Sequence, residues 1–170
     1  MENIYLVGFM GTGKSAVAKK LAAKLKAGFL DLDSIIEEKE KRKIADIFAE
    51  DGEAYFRKLE KDNLKEISPK SGLVVACGGG IVLDRDNIEL MKSTGKMICL
   101  SARPEIILKR VKNQKHRPLL NVENQEKKII EILKARQPLY DLAHIVIDTS
   151  DLSPEDVLTR ILDYLNNDRS

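Results

Sequence analysis

Short apolar runs alternate along the chain with longer stretches in which apolar residues recur every three or four positions. The runs predict buried strands, at residues 4–7, 29–33, 73–77, 97–100 and 143–147. The longer stretches predict helices, at residues 16–26, from 35 onward, 44–67 with a break near 51–52, 84–91, 104–111, 129–138 and from 153 onward. Strands that alternate with helices are typical of an α/β fold. We therefore predict a three-layer sandwich, with a central parallel sheet of about five strands and helices on both faces.

The first strand runs directly into a glycine-rich loop. Residues 8–15 read GFMGTGKS, which matches the phosphate-binding pattern G-x-x-x-x-G-K-[ST]. Glycines let backbone N–H groups turn inward around phosphate oxygens, Lys14 can reach the outer phosphates, and the Ser15 hydroxyl can ligate Mg²⁺. A helix follows at once, so bound phosphates would lie at its N-terminus. A glycine-rich turn that binds nothing is the alternative, but the position between a strand and a helix favours a nucleotide site.

Composition and charge narrow the class of protein. The 170 residues suffice for one domain with its own core, and 43% hydrophobic and 33% charged residues are ordinary values for a soluble globular protein. A net charge of +2 is too small to indicate a nucleic-acid partner. Cys77 and Cys99 lie in apolar runs without metal-ligand spacing, so we expect buried, reduced thiols. We expect no signal peptide, because residues 1–3 lead directly into the first strand, and no apolar run reaches the ~20 residues of a membrane span. We therefore expect a cytoplasmic protein without a membrane partner, and we also expect a monomer.

The phosphate-binding loop leaves the reaction open. The sequence lacks the N-K-x-D segment that GTPases use, and the strand at 73–77 ends in glycines rather than in the acidic residue common in motor and transport ATPases. Asp31 and Asp33 lie at the tip of the second strand, and the alternation of a strand would turn both to the same side. Strand ends on the carboxyl side of a parallel sheet form the ligand crevice. The alternative is a helix-capping aspartate with a solvated neighbour.

Several segments together resemble the shikimate kinases. They follow in order over nearly the whole chain, at residues 8–15, 29–33, 52–60, 78–80 and 117–120, and at Arg136 before Tyr140. The resemblance implies the fold of the nucleoside monophosphate kinases in a single P-loop kinase domain over residues 1–170. Within it, a substrate-binding helical region would cover about 33–61 and a mobile lid about 112–126. The implied reaction, in aromatic amino acid biosynthesis, is transfer of the γ-phosphoryl group of ATP to the 3-hydroxyl of shikimate, with Mg²⁺ as cofactor.

The resemblance also implies a role for individual residues. Those implied to bind ATP are Gly11, Thr12, Gly13, Lys14, Ser15, Ala16, Arg110, Arg117 and Pro154. Those implied to bind shikimate are Asp33, Arg57, Gly79, Gly80 and Arg136. Those implied to be catalytic are Lys14, Asp33 and Arg117, and Mg²⁺ would be held by Ser15 directly and by Asp31 through water. The arginine forks suit a planar carboxylate, and Arg117 would act as an arginine finger supplied by the same chain.

Structural alternatives stand beside these roles. Arg57 could only pair with Glu60 on a helix surface, Arg136 could lie on a solvated helix face, and Arg117 could be a loop residue in water. Cys77 departs from the Thr or Ser that shikimate kinases commonly carry there, and a thiol hydrogen-bonds metal-bound water only weakly. Two other functions remain open: a related small-molecule kinase such as gluconate kinase, and a non-catalytic module that only binds nucleotide.

Overall fold

The computed structural model describes residues 1–112 and 123–168, and within them five strands form one parallel sheet. The strands are β1 (Asn3–Val7), β2 (Gly28–Asp31), β3 (Leu73–Ala76), β4 (Gly95–Ser101) and β5 (Ile145–Asp148). Their order across the sheet is β2-β3-β1-β4-β5, with β1 at the centre. The register pairs Leu6 of β1 with Ala76 of β3 on one side and with Ile98 of β4 on the other. The glycine-rich loop therefore leaves the middle of the sheet.

Seven helices flank the sheet in the described ranges. They are α1 (Lys14–Leu25), α2 (Leu32–Glu40), α3 (Ile44–Ile67), α4 (Arg85–Thr94), α5 (Pro104–Val111), α6 (Gln125–Tyr140) and α7 (Pro154–Asn167). A short 3₁₀ turn, Ile81–Leu83, precedes α4. Helix α3 is broken at Gly52, whose φ of 83° and ψ of 172° are not helical, so the predicted break near residues 51–52 is confirmed. None of the helices in these ranges is long and apolar enough to cross a membrane.

Two apolar layers hold the helices against the sheet. Along β1 the buried side chains alternate: Tyr5 and Val7 point into one layer, and Ile4 and Leu6 into the other. The Tyr5 layer is completed by residues of α2 to α6, and the Ile4 layer by residues of α1 and α7. Strands buried on both faces are typical of parallel sheets. The predicted three-layer α/β sandwich with a central parallel sheet is confirmed.

Several predicted element boundaries are wrong by a few residues, and two of them concern the site. Strand β2 ends at Asp31, so Asp33 lies in the first turn of α2 and not on a strand. Asp31 ends the strand because its side chain caps α2, accepting a hydrogen bond from the Ser34 N–H at 3.2 Å. Helix α6 continues through Pro138 to Tyr140, because one missing N–H does not end a helix whose last turn packs Tyr140 into the core.

Candidate active site

The P-loop, residues 8–15, is held in shape by its own hydrogen bonds. The Thr12 hydroxyl donates to the Phe9 carbonyl at 2.7 Å, and Lys14 Nζ donates to the carbonyls of Gly8 and Phe9 at 2.7 and 2.8 Å. Gly13 directly precedes α1 with a φ of 86°, which a residue with a Cβ rarely adopts. The loop therefore delivers Lys14 and the N-terminus of α1 to the carboxyl edge of the sheet, where an anion would be favoured.

Two oxygen ligands meet beside the P-loop. The Ser15 hydroxyl donates to Asp31 Oδ2 at 2.7 Å, while Asp31 Oδ1 accepts the capping bond from Ser34. Asp31 is thus both the capping residue of α2 and a neighbour of the P-loop. Hydroxyl and carboxylate oxygens are the ligands that Mg²⁺ prefers, so the pair fits this ion. No cluster of three or more His, Cys, Asp or Glu side chains that could hold a metal occurs among the described residues.

One cleft of about 770 Å³ joins the P-loop to residues from distant parts of the chain. The predicted site residues that line it are Gly11, Gly13, Lys14, Ser15, Ala16, Asp31, Asp33, Arg57, Gly79, Gly80 and Arg136. They come from the loop after β1 and the first turn of α1, from β2 and α2, from α3, from the turn after β3, and from α6. The structure therefore brings the predicted phosphate, metal and acceptor residues into a single cavity.

Arg57 and Glu60 form an ion pair at the wall of this cleft. Arg57 Nη1 lies 2.7 Å from Glu60 Oε2, and Arg57 Nη2 lies 3.0 Å from Glu53 Oε1. The Glu60 side chain is 1% exposed and that of Arg57 is 21% exposed. A Cβ on Gly80 would overlap the Arg57 guanidinium, so a glycine is needed there for the guanidinium to take this position. The alternative of an Arg57–Glu60 pair is therefore real, but the pair faces the cleft and not open solvent.

Burial makes Glu60 a weaker acid than an ordinary glutamate. Burial raises the pKa of Glu60 to about 7, against the opposing effect of the Arg57 charge and hydrogen bond, and the nearby Asp33 raises it further. Glu60 Oε1 accepts no hydrogen bond within the described part of the chain. For Arg57, burial lowers the pKa, but the Glu60 and Glu53 carboxylates outweigh burial and the net pKa is raised. The difference follows from exposure, because Arg57 keeps part of its hydration and Glu60 keeps almost none.

Arg136 is buried at 5% exposure, so the alternative of a solvated helix face is wrong. Its guanidinium lies 6.0 Å from the centre of the Phe9 ring, next to the P-loop. One helical turn later, the Tyr140 hydroxyl donates to the Gly79 carbonyl at 2.6 Å. Burial raises the pKa of Tyr140 to about 12, although the Arg136 charge opposes the shift. Helix α6 is therefore tied to both the P-loop side and the glycine turn.

On the other side of the P-loop, Arg110 at the end of α5 contacts two loops. Its Nη1 donates to the Gly11 carbonyl at 3.0 Å and to Thr149 Oγ1 at 3.1 Å, and its Nη2 donates to the Thr149 carbonyl at 3.1 Å. Pro154 is the first residue of α7, in the segment that follows β5. Arg117 and residues 113–122 of the predicted lid lie outside the described residues.

The sequence did not single out several residues that line the cleft. Ile44, Phe48 and Phe56 of α3 form an apolar wall, and the Phe48 and Phe56 rings lie 4.9 Å apart across the break at Gly52. In the sequence, the signal for this apolar wall was an aromatic residue on each side of the helix-breaking Gly52.

Cys77 contributes to the cleft but is buried, with its thiol directed at the Val75 carbonyl, and burial raises its pKa. Cys77 and Cys99 are both free and buried, as predicted.

Comparison with known proteins gives one consistent family. The family model described as shikimate kinase matches residues 10–166. The chain is 45% identical over 162 residues to the shikimate kinase of Thermodesulfovibrio yellowstonii, covering 95% of this chain and 94% of the relative. It is 44% identical over 168 residues to that of Enterococcus faecalis, covering 97% and 99%. Among solved structures, shikimate kinase from Acinetobacter baumannii in complex with shikimate has a TM-score of 0.95 and 40% identity, covering 99% of this chain and 94% of that one. The chain therefore belongs to the shikimate kinase family.

Proposed function

We propose that this chain is a shikimate kinase, which transfers the γ-phosphoryl group of ATP to the 3-hydroxyl of shikimate and releases ADP and shikimate 3-phosphate. One observation carries the proposal: a single cleft contains both the P-loop lysine and two arginines, Arg57 and Arg136, that come from different helices. A P-loop accounts for the nucleotide. Two guanidinium groups in a partly buried cleft match an acceptor that carries a carboxylate. The family match supports both halves.

In this proposal the acceptor is oriented by its carboxylate and its hydroxyls. Arg57 and Arg136 bind the carboxylate, and the backbone N–H groups of Gly79 and Gly80 face the ring. Asp33 binds the hydroxyls and accepts the proton of the 3-hydroxyl as the bond from that oxygen to the γ-phosphorus forms. The bond between the γ-phosphorus and the oxygen that bridges to the β-phosphate breaks, and ADP leaves with that oxygen.

The nucleotide half of the proposal rests on the P-loop. Backbone N–H groups of residues 11–16 hold the phosphates, and Lys14 stabilises the charge of the transferring group. Ser15, with Asp31 through water, would hold Mg²⁺, which neutralises phosphate charge when bound. Arg117 would cover the phosphates from the lid, and Arg110 and Pro154 would lie on either side of the adenine. Asp31 and Ser15 are already within hydrogen-bond distance, which supports a shared ion.

The test is ADP release with ATP and Mg²⁺, comparing shikimate, gluconate and nucleoside monophosphates as acceptors. We expect release that depends on shikimate and is far slower with the other two. The Lys14→Met variant is the control for contaminating activity and should lose more than about tenfold in kcat while its melting temperature stays close to that of the wild type. Faster release with gluconate would contradict the proposed acceptor. Nucleotide binding without transfer to any of the three would favour a module that only binds nucleotide.

A further inference from the structure

The P-loop has different residues on its two sides. Of the proposed acceptor residues, Asp33 and Arg57 follow β2 and Gly79 and Gly80 follow β3, on one side of the central strand β1. Arg136 reaches the same cleft from α6. Arg110 and Thr149 lie on the other side: Arg110 is in α5, which follows β4, and Thr149 follows β5 directly. Phosphates bound by the P-loop lie between these sides. Because the acceptor takes the β2–β3 side, the base of the nucleotide has the β4–β5 side.

Thr149 is a buried residue at the edge where ligands bind in parallel sheets. It is 2% exposed, and its N–H donates to the Ser101 carbonyl at 2.8 Å, which continues the pairing of β5 with β4 by one residue. Its Oγ1 also donates to the Ser101 carbonyl, at 2.9 Å, and accepts the hydrogen bond from Arg110. The sheet therefore fixes the position of the hydroxyl, and the hydroxyl fixes that of the guanidinium.

Arg110 in turn joins three segments: its own helix, the loop after β5 and the P-loop. Two of its nitrogens bond Thr149 and one of these also bonds the Gly11 carbonyl. Guanidinium N–H groups lie in the plane of the group, so these bonds do not use its faces, and a guanidinium face stacks well on an aromatic base. Many threonine hydroxyls have only a structural role. The hydroxyl of Thr149 contacts Arg110, which is the only side-chain cation in the described residues that hydrogen-bonds the P-loop backbone from another element.

We propose that Thr149 is a positioning residue for the nucleotide base: its hydroxyl holds the plane of Arg110 against the P-loop, so that a guanidinium face forms one wall of the base site. The inference rests on the nucleotide half of the proposed function. Only a hydroxyl can donate to Ser101 and accept from Arg110 with one atom. Serine therefore replaces Thr149, whereas valine, which has the same shape without the hydroxyl, does not.

The loop that carries Thr149 has a second, independent tether. The Arg103 side chain donates through both terminal nitrogens to Asp151, at 2.9 and 3.0 Å. The backbone N–H of Arg103 donates to the Ser150 hydroxyl at 2.9 Å. Removing the Thr149 hydroxyl should therefore leave this loop in place. The consequence is confined to the orientation of Arg110.

The experiment measures the dissociation constants of Mg²⁺–ADP and of Mg²⁺–pyrophosphate by calorimetry. We expect Thr149→Val to weaken ADP binding about five- to tenfold, since a hydrogen bond to a charged group is lost, and to leave pyrophosphate, which has no base, within about twofold. Thr149→Ser should bind ADP like the wild type. The matched control is Thr159→Val, whose hydroxyl donates to the Glu155 carbonyl within α7. Thr149→Ala serves as a second variant and should repeat the loss if valine impairs folding.

A double-mutant cycle separates positioning from packing. In an Arg110→Ala background, Thr149→Val should cause no further loss of ADP affinity, because Thr149 acts through Arg110. Equal weakening of ADP and pyrophosphate, an unchanged ADP affinity in both Thr149→Val and Thr149→Ala, or full additivity with Arg110→Ala would each overturn the inference. None of these measurements needs an acceptor. A chain that shows the expected ADP pattern yet transfers nothing to shikimate contradicts the proposed function and leaves this inference standing.

Discussion

Glu60 is a carboxyl whose ionisation is strongly disturbed by its surroundings in the cleft. Its carboxyl is almost fully buried and faces a charge of each sign: the guanidinium of Arg57 on its own helix and the carboxyl of Asp33 on α2. The charge of Arg136 on α6 also favours its ionised form. A Cβ placed on Gly78 would lie 2.7 Å from Glu60 Oε1 and 2.9 Å from Asp33 Oδ1, so both carboxyls converge on the same turn. Loss of hydration destabilises the ionised Glu60 carboxylate by more than the Arg57 ion pair stabilises it, which is why the pKa of Glu60 lies near neutrality.

The raised pKa of Glu60 predicts how the stability of the protein depends on pH. The pKa of Glu60 is raised from 4.5 to about 7, so between these values the folded chain holds a proton that the unfolded chain has lost. Stability from this group is complete below pH 4.5 and is lost as the pH rises through about 7. Relative to Glu60→Gln, which does not titrate, the wild type should lose on the order of 3 kcal/mol across this range. Urea unfolding of both proteins at a series of pH values measures the difference.

Glu53→Gln is the control for this prediction. Glu53 is the other carboxylate partner of Arg57 but is 48% exposed. Its variant should follow the pH profile of the wild type, since removing an exposed carboxylate leaves Glu60 buried. Parallel profiles for the wild type and Glu60→Gln would mean that Glu60 is ionised in the folded protein throughout.

At the scale of elements, the glycine turn after β3 is shaped by what packs against it. Gly78 leaves room for two carboxyls, the Gly79 carbonyl accepts the Tyr140 hydroxyl, and Gly80 lies against the Arg57 guanidinium. The three glycines thus receive side chains from α2, α3 and α6. Presentation of N–H groups to the acceptor stays a prediction. The observed contacts indicate a second reason for glycine at positions 78 and 80: a larger residue would overlap the side chains around the proposed acceptor site.

Gly80→Ala tests that requirement. The φ of Gly80 is −94°, so alanine brings no backbone strain, but its Cβ would overlap the Arg57 guanidinium. Arg57 should move, and kcat/KM for shikimate should fall at least about tenfold while the KM for ATP changes little. Gly28→Ala on the edge strand β2 is a matched control away from the cleft. Its Cβ would meet the flexible Leu73 side chain at 2.7 Å and the Gly72 carbonyl at an ordinary contact distance of 3.8 Å. An unchanged kcat/KM for shikimate in Gly80→Ala would show that the position of Arg57 does not matter.

The elements themselves were largely predictable from the sequence, because strands buried on both faces and amphipathic helices leave strong patterns. The shikimate kinase assignment and the parallel sheet are confirmed. The place of Asp33 was not predictable from alternation alone, since Asp31 caps a helix and ends the strand at the same residue. A capping side chain competes with strand geometry through a single local hydrogen bond, and residue spacing does not reveal which prevails.

Contacts between distant segments were the least predictable part of the site. Thr149 and Arg110 are 39 residues apart, and Arg110 and Gly11 are 99 apart. Nothing in the local pattern around Thr149 marks it, because its role arises only when the sheet brings β4 and β5 together. Arg136 likewise belongs to a helix with charged neighbours, and only packing against Phe9 explains its burial.

For the whole molecule, the strand order separates two binding tasks. Strands β2 and β3 lead to Asp33, Arg57, Gly79 and Gly80 of the proposed acceptor site, which Arg136 joins from α6. Strands β4 and β5 lead to the helix of Arg110 and to Thr149, and β1 delivers the P-loop between the two sides. A rigid sheet holds both sides at a fixed separation, which is what in-line transfer between two bound molecules needs. Changes on one side should therefore alter the kinetics of one substrate and leave those of the other almost untouched.

Arg57→Lys tests this separation from the acceptor side. Lysine keeps the charge but loses the fork that grips a carboxylate through two parallel hydrogen bonds, so kcat/KM for shikimate should fall at least about tenfold. The KM for ATP should hardly change, which is the reverse of the pattern expected for Thr149→Val. Arg103→Lys removes a fork that bonds Asp151 outside the acceptor site, and it should leave kcat/KM for shikimate within about twofold. Steady-state kinetics with each substrate varied in turn gives kcat/KM for shikimate and the KM for ATP of both variants. If Arg57→Lys behaves like Arg103→Lys, Arg57 only pairs with its neighbours on α3 and does not bind the carboxylate of the acceptor.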